Sequence, residues 1–181
     1  CADGGVLVCQ VDASNQPLRF PGHEQFVTCV AFARGGAVLA SASYDGTVKM
    51  WESGTGRLVN SIHPSTEAIM SVAFSHDDMT LATGGYDKLV RLWRSWTDSK
   101  PNAFATIQGH SDGILSMTFS QDDRTLVTGS GDCTLRVWDV HDREERFVFV
   151  DHSSAVACAD LSLDETLLIS GSRDGEIRLW R

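Results

Sequence analysis

No stretch of this chain reaches the ~18 consecutive apolar residues that a membrane-crossing helix needs. Its start shows no basic segment followed by an apolar one, the pattern that directs secretion. There is no CxxC pair and no Cys/His cluster at zinc spacing. The five cysteines (Cys1, Cys9, Cys29, Cys133, Cys158) are odd in number and irregularly spaced, which fits buried free thiols in a reducing compartment, cytoplasmic or nuclear. Basic charge is in deficit, 15 Lys and Arg against 24 Asp and Glu, a formal net charge of −9. That argues against general binding to nucleic acid or to an anionic membrane. No G-x-S-x-G elbow is present. Gly54-Thr55-Gly56-Arg57 lacks the Lys-Ser/Thr ending of a phosphate loop and reads as a hairpin turn. No cofactor or metal is expected. The chain begins at Cys1 instead of Met, as expected of a trimmed piece of a longer protein.

What the chain does have is internal repetition. The segments Tyr44-Asp45-Gly46-Thr47-Val48-Lys49-Met50-Trp51 and Tyr86-Asp87-Lys88-Leu89-Val90-Arg91-Leu92-Trp93 recur as residues 131–138 and 173–180. The aspartates at 45, 87, 132 and 174 are separated by 42, 45 and 42 residues. A period of this length, filled with short apolar runs, reads as the blades of a β-propeller. Within one unit the sequence predicts strands at 27–32, 38–43, 47–51 and 57–62. Asp45-Gly46 is read as a two-residue hairpin with both central residues at positive φ. Apolar residues on both faces of these strands suit a sheet packed between two neighbours.

The same plan restarts at Ile69, Ile114 and Val156. Residues 3–9 align with a turn and third strand, with Cys9 at the tryptophan position. The reading is one all-β arc: residues 1–20 end one blade, 21–62, 63–107 and 108–150 are complete repeats, and 151–181 is a truncated one. Three full blades and two partial ones leave apolar faces uncovered, so a larger ring of seven or eight blades is expected, closed by further blades of the same chain or by a second copy.

Four fixed offsets recur together. Ser41, Thr83, Thr128 and Ser170 each precede the turn Asp by four residues, and Trp51, Trp93, Trp138 and Trp180 each follow it by six. His23, His110 and His152 precede theirs by 22. In this pattern the chain resembles the WD-repeat β-propellers along nearly its whole length. The resemblance implies a hydrogen-bond chain in each blade, from the Trp indole through Ser/Thr and His to Asp45, Asp87, Asp132 or Asp174. It also implies a non-catalytic protein-binding module, with partners bound on the face of the tight turns. The second copy has Ser65 at the His position and is expected to be the softer blade. Ser41, His23 and Asp45 match the residue types of a hydrolase triad, but a triad is needed once and this set appears three times.

Function is expected where the copies differ. Just before the turn Asp stand Tyr44, Tyr86, Gly131 and Arg173; beside the strand starts stand Phe26, Thr28, Met70 and Leu115. The only two tyrosines of the chain occupy one rim position in adjacent blades. These residues are the candidate site for a protein or peptide partner, with Arg173 as an anchor for a carboxylate or phosphate. A second candidate is Trp96, the one tryptophan outside the repeat, in the three-residue-longer connection after Trp93. The acidic pairs Asp77-Asp78, Asp122-Asp123 and Asp164-Glu165 are expected to lie on one rim as solvated turns. Lys49, Arg91, Arg136 and Arg178 are expected to pack their stems along the sheet. The leading function is a scaffold or adaptor; the alternative is a sensing or autoinhibitory domain of a larger regulator or enzyme.

Overall fold

The computed structural model describes residues 5–8, 17–94, 98 and 101–181. Every regular element among them is a β-strand, and each sheet is an antiparallel meander. Strands β1 (Val6–Val8) and β2 (Leu18–Phe20) form a two-stranded sheet. The first four-stranded blade is β3 (Val27–Phe32), β4 (Val38–Ser43), β5 (Val48–Glu52) and β6 (Leu58–Ile62). The second is β7 (Ile69–Phe74), β8 (Leu81–Gly85), β9 (Val90–Trp93) and β10 (Ala103–Ile107). The third is β11 (Ile114–Phe119), β12 (Thr125–Ser130), β13 (Thr134–Asp139) and β14 (Glu145–Val150). The last sheet holds β15 (Val156–Leu161), β16 (Leu168–Ser172) and β17 (Ile177–Trp180). The inner strands β3, β7, β11 and β15 follow one another around the arc.

The core is divided between the blades. Ala40, Val48 and Met50 of the first blade pack on Ile69, Val72 and Leu81 of the second. Ala82, Val90 and Leu92 of the second meet Ile114, Met117 and Leu126 of the third. Val127 and Leu135 then meet Val156 and Leu168. The doubly apolar strands therefore bury both faces, each against a different sheet. At the end of the arc this repetition stops: Ile177 is 75 % exposed, whereas its counterparts Val48 and Leu135 are fully buried.

The tight turns differ from the two-residue hairpin read from Asp45-Gly46. Gly46 N–H donates to the Ser43 carbonyl at 3.2 Å, and Ser43 N–H to the Thr47 carbonyl at 3.2 Å. Gly46 lies at φ 78°, and Asp45 is not among the positive-φ residues. The connection is a three-residue loop with its last residue left-handed, which keeps the strands at their natural twist. The same position is taken by Lys88 (φ 69°), Cys133 (φ 70°) and Gly175 (φ 85°).

The acidic turns are also more than a solvated rim. Asp78, Asp123 and Glu165 sit at φ 58°, 60° and 58°. Each carboxylate accepts a backbone N–H from the preceding blade: Arg34 to Asp78 at 2.8 Å, His76 and Asp77 to Asp123 at 2.6 and 2.9 Å, and Asp122 to Glu165 at 3.2 Å. These charge-assisted bonds clasp neighbouring blades along the rim opposite the tight turns.

A non-glycine residue in the left-handed region costs about 1 kcal/mol. Cys133→Gly is therefore expected to stabilise the protein by roughly 0.5–1 kcal/mol. Urea unfolding would show a raised midpoint at unchanged slope; a lowered midpoint would contradict this geometry.

Candidate functional site

Three blades contain a continuous buried relay. In the first, the Trp51 indole N–H donates to Ser41 Oγ at 2.8 Å, and Ser41 lies 2.7 Å from His23 Nε2. His23 Nδ1 lies 3.0 Å from Asp45 Oδ2. The third blade repeats this through Trp138, Thr128, His110 and Asp132 at 2.9, 2.6 and 2.9 Å. The last repeats it through Trp180, Ser170, His152 and Asp174 at 2.9, 2.8 and 2.9 Å. Donor logic sets the direction: the ionised carboxylate can only accept, so Nδ1 carries the proton of a neutral ring, Nε2 is left to accept from the hydroxyl, and the hydroxyl oxygen accepts from the indole.

The electrostatics agree with neutral rings. Burial pushes the His23 and His110 imidazoles below the ordinary histidine pKa, outweighing the pull of Asp45 and Asp132. Burial alone would raise the Asp132 carboxyl; hydrogen bonds from Thr134, Ser111 N–H and His110 overcome it and hold the pKa at about 2. Asp45 is likewise held low, with burial opposed by bonds from Thr47, Glu24 N–H and His23. The threonines two residues after the aspartate, Thr47 and Thr134, donate to those carboxylates at 2.6 and 2.7 Å. The D-x-T spacing at 45–47 and 132–134 is the signal that could have revealed them. Ser41, Thr128 and Ser170 are buried and already bonded on both sides, so none is presented as a nucleophile.

The second blade lacks the histidine and solves the problem differently. Trp93 still donates to Thr83 Oγ1 at 3.0 Å, but Asp87 is taken by Arg91 at 2.5 Å. Arg91 is thus an ion-pair partner, as are Arg136 with Glu145, and Arg178 with Asp151 and Glu176. These head-group pairs add to the expected packing of the stems along the sheet.

Fixing the turn Asp fixes the residue before it. The N–H groups of Tyr44, Tyr86, Gly131 and Arg173 donate to the carbonyls of Phe26, Ala68, Gly113 and Ala155 at 2.9, 3.0, 2.8 and 2.9 Å. Phe26 meets Tyr44 edge to face at 6.2 Å, and Tyr44 meets Tyr86 edge to face at 6.2 Å, with the two hydroxyls 3.5 Å apart. These rings are 54, 38 and 39 % exposed and form one row across two blades. Tyr86 then leans over the third blade, where a Cβ on Gly113 would stand 2.5 Å from its ring. Its phenol is held above the ordinary value, first by the hydrogen bond with Tyr44 and then by burial, while Arg173 pulls the other way. Asp112, whose carboxylate lies against Gly131, is a neighbour that the sequence did not mark.

The other candidate residues are placed apart from this row. Thr28, Met70 and Leu115 line an open cavity of about 420 Å³ between the inner strands. The Thr28 hydroxyl donates to the Ile69 carbonyl at 2.6 Å and is therefore already partnered. Trp96 lies outside the described residues.

Four segments, residues 14–52, 56–94, 102–139 and 143–181, match the WD domain, G-beta repeat. The chain belongs to the WD40 family. A 48-residue stretch of this WD40 chain is 44 % identical to ribosome biogenesis protein BOP1 of Mus musculus, covering 26 % of the chain and 7 % of that protein. The Rattus norvegicus BOP1 is 40 % identical over 47 residues, 26 % of the chain and 6 % of that protein. Among solved structures, that of U3-55K superposes with a TM-score of 0.81 at 26 % identity, over 89 % of this chain and 50 % of that one. The chain thus spans only a small part of these curated relatives and half of that structure.

Removing an acceptor from the relay should leave buried donors unpaired. Asp132→Ala is expected to destabilise by about 1–3 kcal/mol. Because the folded pKa of Asp132 lies below its unfolded value, its contribution is complete above the unfolded value of ~4. It is lost as pH falls through about 2. Denaturant titrations should therefore show the difference between wild type and variant shrinking across that window; a difference of zero at neutral pH would contradict the relay.

Proposed function

We propose that this chain is part of a non-catalytic scaffold or adaptor that captures a peptide or protein on the tight-turn face of its propeller. The observation that carries the reading is the exposed edge-to-face row of Phe26, Tyr44 and Tyr86. Rigid aromatic rings held by backbone hydrogen bonds bury large area at little entropic cost, which is how interface hot spots work. Arg173 stands beyond the Gly131 gap as a charged anchor for a carboxylate or phosphate on the same partner. Thr28, Met70 and Leu115, in the separate cavity between the inner strands, would contact a partner large enough to reach past the aromatic row. The buried, repeated Ser/Thr-His-Asp sets support a structural role over a catalytic one. No cofactor is invoked.

The exposed Ile177 and Leu179 at one end of the arc, and Val30 and Phe32 at the other, support closure by further blades or by a second copy. Similarity to a ribosome biogenesis protein supports an assembly role and a nuclear setting, with the cytoplasm as the other compartment.

The test is affinity capture with mass spectrometry, using the full-length protein and a folded Phe26→Ala/Tyr44→Ala/Tyr86→Ala version. Partners should be retained by the first and lost from the second. An identical partner set would move the function to another surface.

A further inference from the structure

The rim opposite the tight turns carries a separate charged feature. After each tryptophan the chain enters the connection between third and fourth strands, and in two blades the first residue is an acid that organises it. Glu52 accepts from Thr55 and pairs with Arg57. Asp139 accepts the His141 and Asp142 N–H groups and pairs with Arg146. In the blade between them that position is Arg94. Its guanidinium carbon lies 4.4 Å from the centroid of the Phe104 ring in β10. Arg143, in the β13–β14 turn of the next blade, reaches the same ring at 5.9 Å. Two like charges from adjacent blades share one aromatic platform.

Neither guanidinium forms an ion pair within 4.0 Å among the described residues, although Arg94 is near enough to help lower the Asp77 carboxyl, whereas Arg57, Arg91, Arg136, Arg146 and Arg178 are all ion-paired. Arg124 is exposed at the same corner, its carbonyl accepting the Val140 N–H at 2.9 Å, and its side chain is also without an ion pair. The nearby acids are occupied: Asp77 accepts from Ser75 and Met79 N–H, and Asp122 from Ser120 and Arg124 N–H. Asp142, exposed, lies 4.0 Å from His141. A guanidinium stacked on a ring keeps its N–H fork available at the edge, the geometry that suits a carboxylate. Bringing two such forks together costs repulsion, which an anion between them would reverse.

We propose that Arg94 and Arg143, with Arg124 at the margin, form a docking site for an acidic peptide segment of a partner protein. The formal net charge of −9 disfavours a long polyanion such as RNA, whose backbone would meet repulsion beyond this corner. A short carboxylate-bearing segment meets only the local field. The site does not depend on the aromatic turn face.

The experiment is fluorescence anisotropy on the full-length protein with fluorescein-labelled hexaglutamate at low salt. Arg94→Gln/Arg143→Gln should weaken binding about tenfold, as expected when charged hydrogen bonds are removed. Both side chains are exposed, so neither substitution opens the core. Arg57→Gln removes one unit of charge elsewhere on the rim, against two in the double variant, and should leave affinity unchanged. The proposal is overturned if wild type does not bind the probe, if the double variant binds equally, or if Arg57→Gln loses as much. A hexauridylate RNA that binds more tightly than hexaglutamate and is lost in the double variant would overturn the acidic-peptide assignment.

Discussion

The fold and its surface both hang on one buried relay. In a single blade it starts on the third strand at Trp, crosses to a hydroxyl on the second, passes through a histidine from the segment before the first, and ends on the turn aspartate. It therefore ties the start of the blade to the turn that joins its middle strands. Each group supplies what its neighbour lacks, so every member is satisfied without water. The turn so fixed holds the residue before its aspartate in one place on the rim. Tyr44 and Tyr86 can stand 6.2 Å apart as an ordered row because two successive turns are anchored in register. Where the histidine is missing, Arg91 secures the aspartate but leaves no link to Thr83. The second blade thus keeps the turn and the Trp93–Thr83 tie between its strands while losing the link through a histidine to the segment before its first strand.

Between blades a different physics operates. Aliphatic side chains with Met, Phe and Trp among them fill the sheet-to-sheet cores, and Asp78, Asp123 and Glu165 each reach back to the blade before. The two rims are therefore specialised. One carries relays and aromatic side chains; the other carries inter-blade clasps and the unpaired arginines around Phe104.

Much of this was legible in the sequence because it is periodic. The strands at 27–32 and 38–43 appear with those bounds, and the offsets linking Trp, Ser/Thr, His and Asp translate into hydrogen bonds. What escaped the sequence depends on contacts between repeats or on turn geometry. Asp-Gly at 45–46 looks like a two-residue hairpin, yet the loop takes three residues and leaves Gly46 alone at positive φ. Asp123 looked solvated because its donors, His76 and Asp77, lie a whole repeat away. The rim position of the tyrosines was readable, but the partner of the Thr28 hydroxyl on a neighbouring inner strand was not.

The central claim is a direction of protons: Nδ1–H of His110 donates to Asp132 while Nε2 accepts from Thr128. Nitrogen-15 NMR of the histidine side chains near neutral pH tests it directly. A neutral ring protonated on Nδ1, with the proton protected from exchange, is the expected result. A ring protonated on Nε2, or an imidazolium, would contradict the relay and the anchoring of the turn face that rests on it.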